Sequence, residues 1–290
     1  MPTKWTRRVG LKAGDELELE EKGNSIIINA APRKKPMKFS FDSNGIDFFL
    51  MKRYLNNFYK VGIDELELRF SDPSVFLNIQ RILHTDMIGY EIISQGEHYC
   101  IIKSLSLTDG MEFDSSLRRC FLLLKSLGEE TYNAISSGNL DYLKNASMLE
   151  QNNNRLTTFC RRVLNKVGYK DEKKVTFIYL VIEELEKIAD EYKYIASIFE
   201  KNKRIKNISP VTLSFYKKTN EFVDFLYRLF YNYSKERSIR FTNEYRSLIN
   251  EAYSIMSRKG GYDTLILHHL SSILRICFDL LAPILALHLF

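Results

Sequence analysis

The second half of the chain is dominated by one pattern, the spacing of its apolar side chains. From about residue 111 onward these side chains recur every three to four positions, as they do along one face of an α-helix. Glycine or proline separates most of the helical segments, at Gly138, Gly168, Pro210 and Gly260. We therefore expect six long helices in two groups of three, over residues 111–205 and 209–290.

The stretch before these helices changes its period repeatedly. Between residues 37 and 107, strand-like and helix-like segments follow one another in the order β-α-β-α-β-β. Asp72 and Pro73 predict the start of the second of these helices, because aspartate caps a helix and proline suits its first position. The pattern predicts a small α/β domain over residues 37–107, and it leaves the role of that domain open.

The first 33 residues predict a β-hairpin with a cationic edge. Apolar residues alternate along both strands on one face, with Gly23 and Asn24 in the turn between them, and a basic linker follows. Four basic residues precede the hairpin, namely Lys4, Arg7, Arg8 and Lys12. They either contact DNA phosphates or form an ordinary solvated terminus, and charge alone favours the solvated terminus.

Carboxylates gather along the third and second of the six predicted helices. On the third, three acidic residues are spaced three and four positions apart, so they share one face, and a fourth carboxylate on the preceding helix is placed to face them. The four residues are Glu150, Glu183, Glu186 and Asp190. Such oxygen ligands suit a divalent or iron-type metal ion. The alternative is a solvated flank neutralised by neighbouring lysines, and the spacing alone favours that alternative.

Other features narrow the class of protein. The four cysteines are widely scattered without a C-x-x-C spacing, which indicates reduced cysteines in a cytoplasmic protein. The most apolar segment, near the end of the chain, is interrupted by His268, Arg275 and Asp279, so we expect a buried core helix rather than a membrane span. No glycine-rich phosphate loop, nucleophile elbow or metal-spaced Cys/His pair occurs, which disfavours an enzyme.

The opening residues, MPTKWTRRVGLKAGDELELEEKGNSIIINAAP, resemble the second part of a SpoVT-AbrB domain. The residues that match the family pattern are Pro2, Trp5, Leu11, Gly14 and Asp15. The family's domain begins with an additional basic strand, so the resemblance implies a truncated domain over residues 1–33. It also implies a hairpin of the swapped type, an interleaved homodimer, and DNA binding through the four basic residues.

The six helices resemble the two three-helix repeats of PhoU, the phosphate-uptake regulator. The segment ELEKIADEYKYIA is similar to the acidic signature of that family and places Glu186 and Asp190 on its signature positions. Asn154, Leu274 and Phe278 stand where acidic residues are expected, so the resemblance implies at most one metal site, at the four carboxylates. The whole arrangement resembles the archaeal PhoU-related regulators.

Together, the patterns and resemblances predict a multi-domain α+β protein that is mainly α-helical. It consists of an N-terminal β-hairpin of swapped-hairpin type, a small α/β unit and two three-helix PhoU-type bundles. The implied function is transcriptional regulation of phosphate uptake, with promoter DNA bound at the N-terminus and a signal sensed or relayed by the helices. The alternative is a signalling adaptor that does not bind DNA and docks on a phosphate transporter or sensor protein.

Overall fold

The computed structural model describes residues 1–22, 25–29, 36–105, 110–139, 141–201 and 208–289. Within these ranges the protein is mainly helical, with a four-stranded sheet and a separate two-stranded hairpin. The predicted class, α+β and mainly α, is confirmed. The boundaries of the four predicted domains stay predictions.

The N-terminal unit (residues 1–22 and 25–29) begins with a short helix. It consists of α1 (Thr3–Val9), β1 (Glu18–Lys22) and β2 (Ser25–Asn29). The strands are antiparallel with Leu19 opposite Ile28, so the hairpin and its apolar face form as predicted. The predicted turn residues and the basic linker at residues 30–35 lie outside the described residues.

The basic residues before the hairpin do not form the predicted cationic edge of that hairpin, because they lie on a short helix that was not predicted. Gly10 ends that helix in the left-handed conformation, with φ of 74°, and its backbone N–H donates to the carbonyls of Arg7 and Thr6. Glycine adopts this conformation without a steric penalty, and cationic side chains in the last turn suit the negative end of the helix dipole.

The α/β unit (residues 36–105) has the predicted order of elements. It consists of β3 (Lys38–Asp42), α2 (Phe48–Lys60), β4 (Glu65–Arg69), α3 (Val75–Asp86), β5 (Tyr90–Gln95) and β6 (Tyr99–Ser104). The sheet order is β3-β4-β6-β5, with only the β3–β4 pair parallel. Helix α3 begins at Val75, two residues after the predicted first position, and the Asp72 carboxylate accepts hydrogen bonds from Ser74 just before the helix.

The helical body (residues 110–139, 141–201 and 208–289) contains the six predicted long helices. They are α4 (Phe113–Ser137), α5 (Asp141–Lys166), α6 (Val175–Lys201), α7 (Pro210–Tyr231), α8 (Lys235–Met256) and α9 (Tyr262–Asp279). Helices α4, α5 and α6 pack on one another, as do α7, α8 and α9. Contacts of α4 with α7 and of α6 with α9 join the two groups, so one hydrophobic core runs through all six helices.

The apolar end of the chain is divided into two helices. Helix α9 ends at Asp279, and α10 (Leu281–Leu287) follows. Pro283 has no N–H to donate to the carbonyl of Asp279 four residues earlier, which accounts for the interruption. The segment Tyr262–Leu287 is long and apolar enough to cross a membrane, but half of its most apolar window is buried within the fold.

Candidate functional site

The four residues predicted to bind DNA lie in the N-terminal unit. Lys4, Arg7 and Arg8 are spaced three and four residues apart on α1, so they share one face of that helix. All three side chains are exposed, and no residue of α1 is buried. Lys12 is also exposed, in the turn after Gly10, where its backbone N–H donates to the Asp15 carboxylate at 2.7 Å. This arrangement presents a concentrated positive charge to solvent.

Two of the four predicted metal ligands contact a buried arginine instead. Arg161 of α5 is 1% exposed, and its guanidinium forms ion pairs with Glu183, at 2.7 Å, and with Glu186 of α6. The hydroxyl of Thr157 donates to the same Glu186 carboxylate at 3.1 Å. These bonds satisfy the buried guanidinium, whose desolvation is costly without a partner.

The other two predicted ligands share a lysine. The ammonium of Lys193 lies 2.7 Å from a Glu150 oxygen and 3.1 Å from an Asp190 oxygen. The Asn154 amide donates to the same Glu150 oxygen at 2.7 Å. Burial lowers the pKa of Lys193, but the hydrogen bond and the charge of Glu150 outweigh burial and leave this pKa raised. Lys193 is therefore a cation at neutral pH.

The structure thus gathers the four carboxylates in two pairs, each around a positive side chain. As arranged, they do not fit a metal ion, because their oxygens already accept bonds from Arg161 and Lys193. Within the described ranges, no group of three or more His, Cys, Asp or Glu side chains is placed to hold a metal ion. Metal binding at these residues stays a prediction, and it requires both cations to leave their partners.

The residue after Arg161 joins the helical body to the α/β unit. Arg162 of α5 is also 1% exposed, and one of its terminal nitrogens donates to the carbonyls of Tyr59 at 2.8 Å and Ile63 at 2.9 Å. Its guanidinium carbon lies 4.8 Å and 5.0 Å from the ring centroids of Tyr59 and Tyr90. The second terminal nitrogen reaches the Asp64 carboxylate at 3.3 Å.

Neighbouring residues extend this contact along α5. The Lys166 ammonium also binds the Asp64 carboxylate, and the Asn165 amide donates to the carbonyl of Lys60 at 2.8 Å. Lys60, at the end of α2, is close enough to the Arg161 cluster for its pKa to be lowered by burial and then by the charge of Arg161. The acidic residues of α6 therefore lie beside the junction between the helical body and the α/β unit.

Sequence reasoning missed the two buried arginines. The available signal was their position, since Arg161 and Arg162 interrupt the apolar run FCRRVLNK in a segment predicted to be helical. The side chains of adjacent helical residues point about 100° apart, so two adjacent cations inside an apolar run contact two different neighbouring parts of the fold. One of these neighbours is α6, and the other is the α/β unit.

The comparisons with known proteins are sparse. No family model matches the chain, and no curated protein matches its sequence. Among solved structures, the chain is similar to the phosphate transport system regulatory protein PhoU from Streptococcus pneumoniae, with a TM-score of 0.47 and 17% identity. That similarity covers 61% of this chain and 93% of the other. At this level it does not establish a family.

Proposed function

We propose that the protein is a cytoplasmic transcriptional regulator of phosphate uptake that binds promoter DNA through its N-terminal unit. The observation that carries the proposal is the exposed face of α1, where Lys4, Arg7 and Arg8 lie together. Lysine and arginine side chains on one surface neutralise DNA phosphates and release bound counterions. Lys12 adds a fourth positive charge in the following turn.

The resemblance of the first 33 residues to the SpoVT-AbrB domain supports this assignment. In the proposal, the protein acts as a homodimer whose subunits meet at the hairpin. The apolar face of the hairpin favours this, because Leu19 and Ile26 are 66% and 65% exposed and a second copy would cover them. Sedimentation measures the oligomeric state directly, and we expect a dimer that Leu19→Glu combined with Ile26→Glu converts to a monomer.

The helical body and the α/β unit supply the regulatory part of the proposed function. The resemblance of the helices to PhoU repeats supports a role in phosphate-dependent control. The helical body and the α/β unit are joined by buried polar contacts of Arg162 and by the Asp64–Lys166 ion pair. In this proposal, a rearrangement of the helices changes these contacts and thereby affects the α/β unit. In this account the helices sense or relay the signal, and a metal ion at the acidic residues is a further, separate proposal.

Fluorescence anisotropy of the full chain tests the proposal. The probes are labelled promoter DNA from phosphate-transport genes and an unrelated duplex of equal length, each titrated over a salt series. We expect tighter binding to the promoter and an affinity that falls steeply with salt. Equal binding to both duplexes, or none, would contradict the proposal and favour the adaptor that docks on a transporter or sensor protein.

A further inference from the structure

A cavity of about 540 Å³ lies where the two three-helix groups meet. Its wall is formed by the first turns of α4, the connection between α5 and α6, the end of α7 and the end of α10. The volume falls within the range of about 300 to 1,000 Å³ that is typical of small-molecule sites. Because both groups contribute to the wall, a molecule bound here would contact both at once.

The cavity wall carries an excess of positive charge. Among the described residues that line it, Arg118, Lys170 and Lys174 are positively charged and Asp114 is negatively charged. The carboxylate of Asp114 pairs with the ammonium of Lys170 at 2.8 Å. Burial lowers the pKa of His288, which is also in the wall, and so favours the neutral form of this imidazole. A wall of this charge favours an anionic ligand.

Aromatic rings lie beside two of these cations. The guanidinium carbon of Arg118 lies 5.9 Å from the ring centroid of Tyr231, and the Lys170 ammonium lies 5.6 Å from that of Tyr169. The Tyr231 side chain is 44% exposed, and that of Tyr169 is half-buried, so both offer surface to the cavity. Aromatic faces stack on planar bases, while neighbouring cations bind phosphate.

We propose that this cavity binds a nucleotide. Its phosphates lie against Arg118, Lys170 and Lys174, and its base packs against the rings of Tyr169 and Tyr231. Bridging the two three-helix groups, the nucleotide stabilises one arrangement of the helical body, since a ligand favours the state to which it binds better. This proposal does not depend on DNA binding, so an experiment can contradict either proposal without contradicting the other.

Isothermal titration calorimetry of the full chain tests the proposal with three probes, namely ADP, pyrophosphate and adenosine. We expect ADP to bind at least tenfold more tightly than either of the other two, because it alone carries both phosphate and base. Absence of ADP binding would overturn the proposal. Pyrophosphate binding as tight as that of ADP would also overturn it, because the site would then be one for simple anions.

A matched pair of variants locates the binding. Arg118→Gln with Lys174→Gln removes two lining charges, and Arg119→Gln with Lys173→Gln removes two charges from adjacent residues that are not among those lining the cavity. The first variant should weaken ADP binding at least tenfold, and the second should keep the wild-type affinity. Equal losses in both variants would overturn the proposed location. Circular dichroism establishes that each variant is folded.

A third variant tests the role of the rings. Tyr169→Leu keeps an apolar side chain but removes the aromatic face. It should weaken ADP binding severalfold while leaving the affinity for pyrophosphate at the wild-type value, because the loss of stacking concerns only the base. Unchanged ADP binding in this variant would contradict the base-stacking part of the proposal.

Discussion

The tripeptide Arg-Arg-Val occurs twice in this chain, and its two environments are opposite. At residues 7–9 it lies on α1, where no residue is buried. At residues 161–163 it lies on α5, where Arg161 and Arg162 are 1% exposed and Val163 is part of the core. The same three residues thus form a solvated cationic face in one region and a buried polar junction in the other.

The comparison shows what decides the role of an arginine pair. On α5 the flanking apolar residues draw the helix into a core, so each guanidinium must find acceptors there. Arg161 finds the carboxylates of α6, and Arg162 finds backbone carbonyls of the α/β unit. On α1 the charges stay hydrated and remain available for a partner such as DNA. The predictions below separate these two roles.

We expect the largest effect from Arg162→Ala. The substitution leaves the carbonyls of Tyr59 and Ile63 and the Asp64 carboxylate without this donor. Removing one partner of a buried charged network costs about 3 to 5 kcal/mol. Urea unfolding followed by circular dichroism measures the loss, with Arg7→Ala as the matched control. A loss below about 0.5 kcal/mol, the size typical of surface substitutions, would contradict the structural role of Arg162.

Gly128→Ala tests the packing of the helical body and should have the next largest effect. A Cβ atom at Gly128 of α4 would lie 2.8 Å from the Asn220 amide oxygen and 2.9 Å from the Tyr192 ring. We expect overpacking to cost about 1 to 3 kcal/mol. At an exposed helical position the same change would stabilise by about 1 kcal/mol. Thermal unfolding of Gly128→Ala, with Glu129→Ala at the exposed neighbouring position as the control, shows whether the substitution destabilises or stabilises the fold.

The substitution Asp64→Asn should remove a pH-dependent contribution to the free energy of unfolding. Burial raises the pKa of Asp64, but the hydrogen bonds from Lys166 and Met37 and the charges of Lys166 and Arg162 outweigh it, so this pKa is lowered in the folded protein. The ion pair therefore stabilises the fold above the unfolded pKa of about 3.9, and this contribution is lost as pH falls through the folded pKa.

Urea midpoints at pH 7 and pH 3 measure that contribution. At pH 7 the wild type should have a higher urea midpoint than Asp64→Asn. The difference between the two midpoints should be smaller at pH 3. A difference of equal size at both pH values would mean that the Asp64 charge does not contribute in this way.

The smallest effect on stability is expected for Arg7→Ala combined with Arg8→Ala. Because α1 buries no residue, removing these side chains exposes no unpaired buried group. The free energy of unfolding should change by less than about 0.5 kcal/mol, which is typical of surface substitutions. Differential scanning calorimetry measures this, and a loss comparable to that of Arg162→Ala would show that the two arginine pairs do not differ in role.

Local patterns predicted much of the fold. The hairpin, the order of the α/β unit and the six long helices follow from the spacing of apolar residues and from helix-ending glycines, which are properties of short stretches. Helix α1 carried such signals as well, since Gly10 follows two arginines that suit its last turn. This helix was nevertheless not predicted from the sequence.

The candidate site was harder to predict, because its partners are distant in sequence. Spacing shows that Glu183 and Glu186 share a face of α6, but not that Arg161 lies opposite them. The acceptors of Arg162 are about 100 residues away in a different unit. Such contacts depend on how the helices pack against one another. The periodicity of a helix predicts which of its faces is buried, but not which residues of other elements cover that face.

The salt dependence of DNA binding tests the central claim most directly. Anisotropy titrations with promoter DNA compare the wild type, Arg7→Ala with Arg8→Ala, and the surface control Lys144→Ala with Arg240→Ala, which removes the same charge from exposed residues of the helical body. We predict weaker binding by the first variant alone, with a slope of log K against log salt shallower by about 1.8, since each phosphate contact contributes about 0.9. Unchanged affinity and slope in that variant would contradict the assignment of the exposed arginine pair to DNA.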